Sequence, residues 1–258
     1  MRRLVCFVVL PVLLGCPRGD DSVALLSQVK QGLADRDAKV KSYHLTGKAS
    51  EKGEEADFDF DFRSPNRMRG TLRSPRMRMT YSFDGQKLYQ LAPEGKKFVT
   101  FELKLPADKS ELYLTQIFTP FAPEGFRTPL LLRKGVTARR VEHPQGPDAV
   151  EVRMETRDES GKALHITYLL RWPALDFLEK RLEVDGAVSR VRMEEEQCEP
   201  SARVCFPKKL TQSEGAEIIN TTTLTNIQLN PNQPVEEFTL VAPPGFAAES
   251  HDLVEQGH

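Results

Sequence analysis

The chain has 258 residues, 39% apolar and 28% charged, with 36 basic against 37 acidic side chains and a formal net charge of −1. That balance argues against a disordered chain and against a nucleic-acid binder working by bulk charge. The length can bury a substantial core in one large domain or two smaller ones, and four cysteines are too few for a disulfide scaffold, so their positions carry the information.

Met1, Arg2 and Arg3 form a positive n-region, and Leu4 to Leu14 is an apolar run broken only by Pro11. The run is too short to span a bilayer, which takes about 20 apolar residues. It ends in Leu13-Leu14-Gly15-Cys16, and the chain turns polar at once. These four residues resemble the lipobox of bacterial lipoproteins; the plainer alternative is a secretory signal with a chance cysteine. The resemblance implies a signal peptide over 1–15, lipidation at Cys16, and a tether over 16–21 that keeps the folded part near the membrane. Two or three acyl chains would anchor it where one would hold only marginally. Losing Arg2 and Arg3 moves the net charge to −3. Pro17 stands where an inner-membrane retention signal has Asp, so the expected place is the outer membrane, facing the periplasm.

Ser22 caps an expected helix to about Asp37, with Val23, Leu26, Val29 and Leu33 on its apolar stripe and Gly32 weakening its second half. From Ser42 the period becomes two. Ala56, Phe58, Phe60 and Phe62 alternate with Asp57, Asp59 and Asp61, giving a strand with one aromatic and one acidic face. Met77, Met79, Tyr81 and Phe83 alternate with polar residues, and Asp84-Gly85 turns the chain into Lys87 to Leu91. After Phe98 to Leu103, a short helix is expected from Lys109 to Phe118 and a proline-rich loop from Thr119 to Pro129. Seven further strand patterns follow: Val136 to Val141, Ala149 to Thr156, Ala163 to Trp172, Phe177 to Val184, Ala187 to Met193, Cys205 to Thr211 and Ala216 to Leu229. They read as antiparallel hairpins of one domain over 22–246, with a flexible tail over 247–258.

The five histidines are scattered, with no HExxH, no GxSxG and no glycine-rich phosphate loop, so no enzyme, metal or cofactor is expected. Cys198 and Cys205, with six residues between them, read as a disulfide across a hairpin loop, with a redox-active pair as the lesser reading. Arg63, Arg67, Arg69, Arg73, Arg76 and Arg78 form either a docking surface for anionic headgroups or an acidic partner, or a solvated sheet face neutralised by neighbouring aspartates. The aromatic and methionine faces either fill a closed core or line a cavity for acyl chains, with Phe58, Phe60, Phe62, Met77, Met79, Tyr81 and Phe83 as its candidate lining.

The layout resembles the LolA/LolB-like superfamily of periplasmic lipoprotein carriers and acceptors. The resemblance rests on Tyr43-His44-Leu45-Thr46-Gly47, Phe62-Arg63-Ser64-Pro65-Asn66-Arg67-Met68-Arg69, the Phe83-Asp84-Gly85-Gln86-Lys87-Leu88-Tyr89 hairpin, the Pro93 to Lys97 turn, and a closing Glu237-Phe238-Thr239-Leu240 before Pro243-Pro244-Gly245-Phe246. It implies a mainly β fold with a few helices: a strongly curved antiparallel sheet, an unclosed barrel, whose concave face the helices cover over a hydrophobic cavity. The implied function is non-covalent binding of acyl chains of lipids or lipoproteins by a membrane-anchored protein. A different class stays open, an envelope interaction or stress-sensing lipoprotein that binds a protein partner.

Overall fold

A computed structural model describes residues 19–51, 53–106, 110, 113–114, 117–118, 126, 135–142, 148–157, 161–200 and 203–254, without the side chains of 19–21 and 156. Cys16 and the expected signal peptide lie outside these residues. Helix α1, Gly19–Lys39, starts inside the expected tether and takes Ser22 into its first turn. Its buried stripe is Leu25, Val29, Leu33 and Arg36, while Val23, expected inside, is 70% exposed. Gly32 allows close packing: a Cβ there would stand 2.5 Å from Leu175 Cδ1.

Fourteen strands are found among the described residues: β1 Ser42–Glu51, β2 Glu54–Arg63, β3 Arg67–Arg73, β4 Arg78–Phe83, β5 Lys87–Ala92, β6 Lys97–Lys104, β7 Val136–Val141, β8 Ala149–Arg157, β9 Ala163–Arg171, β10 Phe177–Val184, β11 Ala187–Glu199, β12 Val204–Glu214, β13 Glu217–Leu229 and β14 Ala247–Val254. They form one large, open, curved sheet in the order β14-β6-β5-β4-β3-β2-β1-β13-β12-β11-β10-β9-β8-β7. The order follows from hairpins. β1 to β6 meander one way, β7 to β13 meander back, and β13 joins the halves by pairing with β1. All of these pairings are antiparallel.

Residues opposite one another in a ladder share a face, so the registers sort the side chains. Leu45↔Phe60, Phe60↔Gly70, Gly70↔Tyr81, together with Tyr43↔Phe62, Phe62↔Met68 and Met68↔Phe83, put one aromatic band on one face of β1 to β4. The same face continues through Leu210↔Met193 into the second half, where Val152, Tyr168 and Leu170 line it. Two core clusters result. α1 packs on the second half, with Leu25, Val29 and Leu33 among Val136, Val150, Val152, Tyr168 and Phe177. Leu114, Phe118 and Phe126 pack on the first half and its junction with β12 and β13, among Phe58, Phe60, Phe62 and Phe206. Ser110, Tyr113, Leu114, Ile117 and Phe118 are helical, within the helix expected there.

Two expectations are corrected. Residues 247–254, expected as a flexible tail, form β14, and β14 pairs with β6 in parallel, so the sheet is not purely antiparallel. Parallel pairing needs a crossover. Here residues 230–246 supply it, leaving β13 and crossing the polar face of the first half through the 3-10 turn Val235–Phe238. Ser82 Oγ donates to Phe238 O (2.6 Å), Arg69 to Glu237 O (3.1 Å), and Arg63 to Gln233 O, pinning this strap to β2, β3 and β4.

Candidate functional site

The sheet offers two surfaces. On the apolar face, Phe58, Phe60, Phe62 and Phe83 are buried in the first cluster, Tyr81 is packed against it, and Met79 lies on the same face opposite Leu72. Met77 falls outside β4, in the turn that begins at Ser74, and is 42% exposed. Gly47 belongs to this surface as well. A Cβ there would stand 2.8 Å from the Phe58 ring and 2.5 Å from Thr223 O, so only glycine lets the ring lie flat on β1. Tyr43 meets Phe62 at 4.9 Å and Phe126 at 5.4 Å between centroids, Phe60 meets Phe118 at 6.0 Å, and Phe126 stacks on Phe206 at 4.5 Å. Among the described residues, the cover over these rings comes from Leu114, Phe118 and Phe126 and not from a second sheet.

On the opposite face, the strap and strands β1 to β5 enclose a groove of about 560 Å³. Its lining runs from His44, Asp59 and Asp61 through Arg69, Thr71, Arg73, Arg78 and Thr80 to Leu91 and Pro93. Asp61 Oδ1 is shared: it hydrogen-bonds His44 Nδ1 at 2.8 Å and accepts from Gln233 Nε2 at 2.6 Å. That bond holds the His44 pKa above its ordinary value, against the opposing effect of partial burial. Donor atoms of His44, Asp59 and Asp61 lie within 4.8 Å of one another, near enough to hold a metal ion. The aspartates neighbour the arginines as expected, Asp57↔Arg73 and Asp61↔Arg69.

The disulfide is present: Cys198 and Cys205 are paired across the β11–β12 hairpin and bonded at 2.02 Å. Glu196 lies beside them, but sulfurs bonded to each other are not metal ligands. Arg36 ties this hairpin to α1. It donates to Cys205 O at 3.0 Å and stacks on Phe206 and Phe177 at 4.6 and 5.4 Å. Burial pushes its pKa down.

No family model and no curated protein matches the sequence. Solved structures do match its shape. A domain described as an outer membrane lipoprotein-sorting protein domain of Vibrio parahaemolyticus aligns with 83% of this chain and 97% of its own at a TM-score of 0.57 and 10% identity. A LolA superfamily protein of Nitrosomonas europaea aligns with 82% of this chain and 97% of its own at 0.54 and 10% identity. The fold is LolA-like. A DUF1329 family protein of Desulfovibrio piger shares it, at 0.55 and 8% identity over 83% of this chain and 97% of that one.

Within this LolA-like sheet, the residues singled out on β2 and β4 do come together, Met77 excepted. The groove was not foreseen. Its strap residues Glu237, Leu240, Pro243 and Phe246 sit more than 140 positions from Arg78 and Thr80, and no local pattern announces where a crossover will lie. The available signal was the closing Phe238 and Pro243-Pro244 run, which alternates like no strand and so had to pack as an irregular segment. No helix of the described residues is long and apolar enough to cross a membrane.

Proposed function

We propose that this protein is a lipid-anchored envelope protein that binds acyl chains of lipids or lipoproteins on the apolar face of its sheet, as a carrier or acceptor and without covalent chemistry. One observation carries the reading. A continuous apolar band over β13, β1, β2, β3 and β4, aromatic on β1, β2 and β4, is covered among the described residues by Leu114, Phe118 and Phe126 and not by a second sheet. Such a cover can be displaced by chains of the same polarity at little net change in buried apolar area. The lipoprotein-sorting description of the Vibrio domain with the same fold supports it, as does Cys16 behind the apolar leader. Lipidation at Cys16 would place release beside the bilayer, in this reading the outer membrane.

Native mass spectrometry of the chain carrying Cys16→Ser tests the proposal. A bound lipid mass, lost in Phe60→Ser, is expected; a protein that never takes up lipid where a known carrier does would sink it.

A second reading is favoured by a different observation. Among the described residues the sheet is open, with β7 and β14 each unpaired on one edge, and such edges accept a strand from a protein partner. In-cell crosslinking separates the two, because a partner bound at an edge survives Met79→Ser, a change at a partly buried position of the apolar face.

A further inference from the structure

The arginine-rich stretch is only partly used by the fold. Arg63 and Arg69 hold strap carbonyls and Arg76 pairs with Glu54 at 2.9 Å. Arg73 and Arg78 are different. They stand directly opposite each other in the β3–β4 ladder and both line the groove; Asp57 neighbours Arg73 in the β2–β3 ladder and Glu94 accepts from the Arg78 backbone N–H, but neither guanidinium has an ion pair within 4.0 Å among the described residues. Like charges opposed across a strand pair are unfavourable, and an anion between two guanidinium forks removes that repulsion. The floor beside them is Thr71 and Thr80, both buried, with hydroxyls 3.1 Å apart. Two hydroxyls sharing one bond keep one hydrogen to donate.

One strand further along, about 4.8 Å away, is Asp59, opposite Thr71; it has no ion pair within 4.0 Å among the described residues, and the His44 ring lies within 4.8 Å of its carboxylate. Asp61 beside it is already engaged by His44 and Gln233. In the other direction the groove turns apolar at Leu91 and Pro93, faced by Leu240, Pro243 and Phe246 of the strap, whose Glu237 is the one strap carboxylate in the lining. Across the strands the order is therefore acid, base, apolar. A purely anionic ligand meets Asp59, and a purely cationic one meets the arginines. A zwitterion with an ammonium group two methylenes from a phosphate, continued by an uncharged glyceryl part, matches the order.

We propose that the groove on the polar face is a binding site for a phosphoethanolamine group, with the phosphate at Arg73 and Arg78, the ammonium at Asp59 and the glyceryl end toward Leu91 and Pro93. The sheet separates this site from the aromatic band, so it stands or falls independently of acyl binding.

Glycerophosphoethanolamine titrated into the purified Cys16→Ser chain, followed by calorimetry and backbone amide shifts, tests the proposal. Saturable binding with shifts at Asp59, Thr71, Arg73 and Arg78 is expected. Joint Arg73→Ala and Arg78→Ala substitution should weaken it about tenfold or more with an unchanged melting temperature, both side chains being exposed. Asp59→Asn should weaken glycerophosphoethanolamine but not glycerophosphate, which lacks the amine. Vesicles of phosphatidylethanolamine and phosphatidylcholine identify the source. Arginine-dependent binding to them means a membrane lipid, and binding of the soluble ester alone means a free phosphoester. No saturable binding, full affinity in the arginine variant, or inorganic phosphate binding as tightly as glycerophosphoethanolamine would overturn the assignment. Glycerophosphoethanolamine carries no acyl chain, so this titration can fail while the native-mass-spectrometry test of acyl binding succeeds, and the reverse.

Discussion

His44 and Asp61 face each other in the β1–β2 ladder, and their 2.8 Å hydrogen bond has a pH signature. The bond raises the imidazole pKa in the fold above the ordinary 6.5, so the folded state binds the proton more tightly than the unfolded chain. The resulting stability is fully present below about pH 6.5 and is lost as pH rises through the raised value. Urea midpoints measured at about pH 5.5 and about pH 9 should therefore fall with pH, and His44→Asn should flatten the difference; a midpoint independent of His44 would contradict the assignment. The alternation over 56–62 places Asp61 on a polar face. His44 as its partner depends on which strand lies next to β2, a matter of sheet order.

At the scale of elements, α1 shows how the surroundings choose among equivalent patterns. Val23, Leu26, Val29 and Leu33 and the observed Leu25, Val29, Leu33 and Arg36 are both helical stripes, offset by a fraction of a turn. The sheet beneath selects the second because its Phe177 and Phe206 rings form a slot for the Arg36 guanidinium, which also reaches Cys205 O. The Cys205 N–H in turn donates to Asp176, so helix, disulfide hairpin and the start of β10 meet at one buried charge. Arg36→Ala should lower stability by about 2 to 4 kcal/mol, combining a lost charged hydrogen bond with lost stacking. Chemical denaturation measures it, and a loss below about 0.5 kcal/mol, typical of surface positions, would remove Arg36 from this role. A basic residue at the end of an amphipathic helix reads as solvent-exposed in sequence, because burial of arginine needs partners that lie 140 to 170 positions away.

At the scale of the molecule, the sheet is a long open surface whose edges need protection. β14 covers the edge of β6, aided by Lys104 to Asp252 at 2.6 Å and His251 against Phe101 at 5.8 Å. Ending the chain after Gly245 should expose β6, with Phe98 and Phe101 on it, and produce concentration-dependent association. Light scattering after size exclusion would show it, and a truncated chain that stays monomeric would mean that β14 is dispensable as a guard.

Strand positions and facing were legible along the chain because a period of two is a property of neighbours in sequence: the β7 and β10 patterns match their strands end for end. The disulfide was legible because Cys198 and Cys205 flank a single turn. Parallel β14, the strap and the groove were not. Each depends on contacts between residues far apart in the chain, and the free energy that selects those contacts comes from the assembled sheet. The near-balanced charge of −1 is a property of composition. Its sorting into an acid, base and apolar order across β2 to β5 arises only when the strands are laid side by side.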